Sequence, residues 1–170
     1  PNFDPALFLD PMHDEDWRSL QDKQPFLNRA FNACYPPGSI FKLVSISALL
    51  EQKLITPDSC WNCQGYVEFA HRHYHCNNRT GHGWLNVEQS LAHSCNILFY
   101  EMGKKIGIDL LADYAHRFGL GEKTNIMFAE KEGLIPTAAW KKRVKNERWW
   151  PGDTLSVIIG QSYLLVTPIQ

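Results

Sequence analysis

The sequence predicts a helix-dominated α+β chain with small peripheral strands and long surface loops. Behind a Pro-Pro-Gly turn, Ile40, Leu43, Val44, Ile46 and Leu50 recur at helical spacing. Leu110, Leu111, Tyr114, Ala115 and Phe118 repeat that period further on. Tyr66-Val67-Glu68-Phe69, continuing through Tyr74, alternates instead, as a short hairpin would. A chain of 170 residues, 44% of them hydrophobic, can bury one substantial core.

Residues 1–38 are rich in Asp and Pro and read as extended approach segments and short turns. The helix entered at Ser39 is expected to end near Gln52 or Lys53. Pro, Gly, Asn, Cys and His mark residues 56–83 as turn-rich, with the small hairpin inside them. Asn86-Val87-Glu88-Gln89 has the pattern of a capping box, and apolar residues follow through Ile97, Leu98 and Met102 to Gly107. Asp109 is the expected N-cap of the next helix, whose buried stripe runs to Phe118 and which Gly119 or Gly121 ends. Residues 122–153 read mostly as loop, and Thr154 to Ile159 is a short β-branched run closed by Gly160.

Net charge is −1 with the signs well mixed, which leaves no electrostatic footprint for nucleic acid. No apolar stretch reaches the length of a membrane span, and no signal peptide opens the chain. The start at Pro1-Asn2-Phe3-Asp4-Pro5 and the stop at Thr167-Pro168-Ile169-Gln170 suggest a piece of a larger protein.

The chemistry centres on Tyr35-Pro36-Pro37-Gly38-Ser39-Ile40-Phe41-Lys42. Two prolines and a glycine fix a rigid turn, which sets Ser39 at or near a helix N-terminus with Lys42 one turn on. Residues i and i+3 share a helix face, so hydroxyl and amine are expected to meet. A lysine so placed activates a serine for acyl transfer. Set against this, Ser39 is a helix-capping serine and Lys42 a solvated lysine. A second element, Ser94-Cys95-Asn96, interrupts the helical region begun at Asn86 with polar, turn-prone residues. It places a second hydroxyl and a carboxamide on a helix–helix loop, or else is a simple cap.

Five cysteines are many for an oxidising compartment, and the number is odd. Cys60 and Cys63 are C-x-x-C spaced, and Cys76, His82 and Cys95 follow at intervals that suit a tetrahedral Zn2+. A disulfide such as Cys60–Cys63 or Cys63–Cys76, or simply inert apolar thiols, would serve as well. Cys34 is expected to be a packed core thiol. His71, His73 and His75 alternate and are expected to be solvent-facing.

Taken in order, Leu27-Asn28-Arg29-Ala30, Tyr35 to Lys42, Gly81-His82-Gly83, Ser94-Cys95-Asn96, Phe118-Gly119-Leu120-Gly121, Gly152-Asp153-Thr154 and Ile159-Gly160-Gln161 resemble class B penicillin-binding proteins. The likeness is in particular to their elongation-specific branch, and it spans essentially the whole chain. It implies a penicillin-recognising serine transpeptidase fold, here mainly its helical subdomain, with residues 1–170 a partial transpeptidase domain. It implies peptidoglycan D,D-transpeptidation by a serine acyl-enzyme during cell elongation, with β-lactams as inhibitors. Ser39 would be the nucleophile and Lys42 its base, held neutral by burial and nearby positive charge. Ser94 would relay the proton, Asn96 would bind the substrate backbone, and the Ser39 N–H would supply half of an oxyanion hole.

The same resemblance selects Cys63, Cys76, His82 and Cys95 as ligands of a structural zinc, while the acyl-transfer chemistry itself needs no cofactor. Implied partners are stem peptides ending in D-Ala-D-Ala, β-lactams and a membrane glycosyltransferase, at the periplasmic face of an inner membrane reached by an upstream anchor. Three positions depart from the family pattern. Ile40 replaces the usual Thr, Ser162 replaces a usual Gly, and no Lys-Ser/Thr-Gly triplet occurs in these residues. The 170 residues alone are therefore expected to be inactive. Two rival functions are a serine β-lactamase or penicillin sensor, and a zinc-stabilised interaction module without enzymatic activity.

Overall fold

The computed structural model describes residues 3–9 and 11–170, so Pro1, Asn2 and Asp10 lie outside it. The segment expected to be extended contains a helix, α1 (Asp14–Lys23), followed by a single turn, α2 (Arg29–Asn32). Asp14, Glu15 and Asp16 open α1 and Lys23 closes it, which complements the helix dipole although Leu20 is its only buried residue. Charge placement stabilises α1 where hydrophobic period gives no signal.

Gly38–Phe41 forms a 3-10 turn that leads into α3 (Lys42–Glu51). This helix is buried on most sides, with Lys42, Val44, Ser45, Ile46, Ala48 and Leu49 inside. It ends where expected: Lys53 is left-handed, and the Leu54 N–H bonds the Leu49 carbonyl at 3.0 Å. The anticipated stripe is only partly interior. Ile40 and Leu43 are 69% and 53% exposed, and with Tyr35, Phe118, Leu120 and Val166 they line an apolar groove of about 410 Å3.

Four short strands follow: β1 (Cys60–Cys63), β2 (Tyr66–Phe69), β3 (Arg72–His75) and β4 (Gly83–Asn86). The expected hairpin is β2–β3, pairing Tyr66 with His75 and Phe69 with Arg72. Its turn residues Ala70 and His71 both have positive φ, the geometry that matches strand twist. β1 pairs antiparallel with β4, a long-range partnership without a periodic signal in the sequence.

Asn86 and Gln89 complete the expected capping box of α4 (Val87–Ala92), with bonds of 2.8 and 3.0 Å. The loop Ser94–Asn96 separates it from α5 (Ile97–Gly103). α6 (Ile108–Arg117) is capped by Gly107, not Asp109; the Asp109 carboxylate accepts the Ala138 N–H at 3.1 Å instead. Leu111, Tyr114 and Ala115 are buried as expected, whereas Phe118 is 52% exposed. Gly119, at φ +81, ends α6 with the N–H of Leu120 on the Ala115 carbonyl at 3.0 Å.

Two helices replace expected irregular structure. α7 (Ala138–Lys145) is capped by Thr137, which accepts the Trp140 N–H at 3.0 Å. The β-branched run belongs largely to α8 (Pro151–Val157). Pro151 sits in its first turn, and Asp153 accepts the Trp150 N–H at 2.9 Å, so the entry overrides β propensity. Helices α3, α5, α6 and α8 enclose the core, with Leu49, Phe99, Leu111, Ala115, Leu155 and Ile158 fully buried.

Candidate active site

The site begins with how two loops are held. Gly38 lies at φ +60, and its N–H bonds the Gly160 carbonyl at 2.8 Å. This bond fixes the turn carrying Ser39 to the end of α8. Ser45 reinforces it from inside the core by donating to the Ile158 carbonyl at 2.7 Å. On the other side, α4 ends with Ser94 left-handed at φ 51, the Ser94 N–H on Leu91 and the Cys95 N–H on Ser90. Glycine usually fills this position, so the serine costs on the order of 1 kcal/mol of backbone strain. That strain aims its hydroxyl at Ser39.

Ser39, Lys42, Ser94 and Asn96 converge. The Ser94 hydroxyl lies 2.8 Å from that of Ser39 and 3.0 Å from the Lys42 Nζ. Lys42 also donates to the Ser94 carbonyl and to the Asn96 Oδ1, both at 2.7 Å. The expected direct meeting of Ser39 with Lys42 is replaced by this bridge. An ammonium has three donors, and Ser94 and Asn96 take all of them. Ser39 is exposed at the mouth, while Lys42 is fully buried beneath it.

Burial lowers the Lys42 pKa to about 8, while negative charge on the Cys76 and Cys95 sulfurs works in the opposite direction. Asn96 stands at the N-cap of α5 without a side-chain capping bond; its amide donates to the His75 carbonyl at 3.1 Å, where the Tyr100 hydroxyl also bonds at 3.2 Å. Neither Tyr100 nor the His75 carbonyl was identifiable beforehand, because a backbone acceptor on a distant hairpin leaves no residue-type signature.

The Cys63, Cys76 and Cys95 thiols and His82 meet directly behind this loop, their ligand atoms all within 4.8 Å of one another. His82 Nδ1 lies 3.4 Å from the Cys63 sulfur and 3.6 Å from that of Cys76, and Cys76 and Cys95 are 3.8 Å apart. A tetrahedral zinc with ordinary Zn–S and Zn–N lengths requires S–S edges of about 3.8 Å and S–N edges of about 3.6 Å. The donor set fits that ion. Gly81, at φ +87, lets the His82 loop cross close to the Cys63 carbonyl, where a Cβ would collide.

All five cysteines are free, so the disulfide alternatives are not realised. Cys60 is exposed and outside the cluster, and Cys34 is half-buried, not a core thiol. His73 and His75 are solvent-facing on β3 as expected, and His71 occupies its turn. The cluster touches the candidate catalytic groups, since the Asn96 N–H points at the Cys76 sulfur at 3.4 Å.

Residues 1–170 match the family described as the penicillin binding protein transpeptidase domain. The chain belongs to this family. The peptidoglycan D,D-transpeptidase MrdA of Salmonella typhimurium is 38% identical over 180 residues, covering all of this chain and 28% of that protein. Its Acinetobacter baumannii counterpart is 34% identical over 176 residues, again across the whole chain and 26% of the relative. The chain thus spans little more than a quarter of these relatives' length.

Among solved structures, Pseudomonas aeruginosa PBP2 in complex with WCK 5153 superposes with a TM-score of 0.89 at 36% identity, covering 99% of this chain and 38% of that one. The Helicobacter pylori PBP2 complex with MreC gives 0.93 at 34%, covering 100% and 33%. The fold is therefore the helical part of the penicillin-recognising α+β transpeptidase fold.

Proposed function

We propose that this chain carries the nucleophile half of a serine-type peptidoglycan D,D-transpeptidase, the target of β-lactams. The unbroken hydrogen-bond path from Ser39 through Ser94 to buried Lys42 is the observation that supports it. In this reading residues 1–170 are one part of a transpeptidase domain, and no Lys-Ser/Thr-Gly triplet lies among them.

Ser39 attacks the carbonyl between the two terminal D-alanines of a stem peptide. Its proton passes to the Ser94 oxygen as the Ser94 proton passes to neutral Lys42. The Ser39 N–H, at the opening of the 3-10 turn, donates to the developing oxyanion. Reversal of the relay protonates the departing D-alanine amine, and an amine of a neighbouring stem peptide then resolves the acyl-enzyme. Asn96, oriented by Lys42 and the His75 carbonyl, faces the substrate backbone.

Cys63, Cys76, His82 and Cys95 would hold a structural zinc. The ion would contribute a cross-link between the β1–β4 region and the Ser94 loop, and no part in acyl transfer. Action on the outer face of an inner membrane beside a glycosyltransferase follows from the same reading. It is supported by a 39% identical neighbour, with a TM-score of 0.86, described as a peptidoglycan synthase complex coordinating polymerization and crosslinking.

Replacing Ser39 by Ala in the full-length protein tests the assignment. Covalent labelling by a fluorescent penicillin is expected to vanish; labelling that persists at the parent rate moves the nucleophile elsewhere.

A further inference from the structure

Residues 142–148 set four cations against one carboxylate, Glu147, which pairs with Lys141 at 3.5 Å, on a surface that the acyl-transfer chemistry leaves unused. α7 turns Lys141 inward, where it is 2% exposed and bonds Asp153 at 2.6 Å. Lys142, Arg143 and Lys145 therefore face solvent, and Arg148 follows beyond the Asn146 turn, also exposed. Among the described residues none of these four enters a salt bridge, in a chain whose net charge is −1. Dipole complementation accounts for the three cations in the last turn of α7, but not for Arg148. The Arg148 guanidinium lies 3.5 Å from the centroid of the Trp150 ring. Such a stack holds a planar fork of N–H donors whose edge is free to grip a carboxylate.

Packed residues connect this patch to the candidate active site. Trp150 precedes α8, and Gly152 packs so closely that a Cβ there would lie 2.6 Å from the Tyr74 hydroxyl. Tyr74 is followed by His75, whose carbonyl orients Asn96. We propose that the α7–Trp150 face binds the carboxylate-bearing stem peptides of uncross-linked peptidoglycan strands and steadies a strand beside Ser39. The proposal rests on the transpeptidase reading. An anionic membrane is the weaker fit, because Val144 and Trp150 are the large exposed apolar side chains this face offers, and an interfacial helix needs a broad apolar face.

The test compares the full-length protein with a K142Q/R143Q/K145Q variant and, separately, with R148Q. Binding to soluble uncross-linked glycan strands is measured at low and high salt, alongside penicillin labelling and thermal unfolding. The triple variant is expected to bind strands about tenfold more weakly. Parent binding should weaken with salt, while labelling and unfolding stay at parent values. Equal strand affinity in parent and variants overturns the proposal. So does a charge-dependent affinity confined to phosphatidylglycerol vesicles, which would make the face a membrane contact. A parent that penicillin fails to label overturns the underlying transpeptidase reading instead, whatever the strands do.

Discussion

At the scale of single residues, Ser94 carries the sharpest trade between stability and chemistry. It occupies a left-handed helix-cap position that glycine would fill without strain, and its hydroxyl bridges Ser39 and Lys42. Ser94→Gly should therefore leave stability within about 1 kcal/mol of the parent, since relieved strain offsets the lost bonds. Penicillin acylation should nonetheless fall by ~10²-fold or more, because the proton path is cut. Denaturant melts and labelling kinetics on one preparation separate the two effects. Lys42 adds a pH dependence. With its pKa lowered to about 8, the neutral amine is the minor form below that value. The acylation rate should climb as pH rises through about 8 and level off above it, in a labelling series across that range. Stability runs the same way: the folded state binds fewer protons than the unfolded chain above about 8, so folding gains as pH rises from there towards the ordinary lysine value of 10.5.

At the scale of elements, α8 is the support on which the turn carrying Ser39 rests. Asp153 anchors its start to buried Lys141 and to the Trp150 N–H, and Gly160 closes its end against Gly38. Gly160 combines φ +77 with so close an approach that a Cβ would collide with the Gly38 backbone. Gly160→Ala should cost ~1–3 kcal/mol in denaturant unfolding. It should also slow acylation by displacing Ser39, a loss that persists at temperatures where the variant is fully folded. The family motif Gly152-Asp153-Thr154 acquires its meaning here. Asp153 caps α8, Thr154 accepts the Trp149 indole N–H at 2.8 Å, and Gly152 admits Tyr74. The motifs around Ser39, Ser94, Asn86 and Gly119 were legible because each depends on local turn and cap chemistry. The helices α1, α7 and α8 were not, because charge placement, a threonine cap and a proline entry stabilise them where hydrophobic period is weak.

At the scale of the whole molecule, the Cys/His cluster links a small sheet to the Ser94–Asn96 loop. Cys63 ends β1, Cys76 follows β3, His82 precedes β4, and Cys95 lies between Ser94 and Asn96. Metal analysis of unchelated protein is expected to find one zinc per chain. That zinc should be lost on Cys63→Ser and retained on Cys60→Ser, with chelation lowering the unfolding temperature by at least a few degrees. A metal content near zero leaves the four side chains as packed thiols and a histidine.

The sequence by itself determined the turn at Pro36-Pro37-Gly38, the helices that follow Ser39 and Asn86, and the residue types of both clusters. These depend on backbone preferences and periodicities that act within a few residues. Tertiary structure alone decided that Lys42 reaches Ser39 through Ser94, and that Asn96 is oriented by the His75 carbonyl. It also brings Cys63, the cysteine that the family resemblance selects, into the cluster and leaves Cys60 outside it. Those outcomes depend on which distant backbones approach within hydrogen-bonding distance and on how deeply a lysine is buried. Packing sets both, over separations that local preference does not reach.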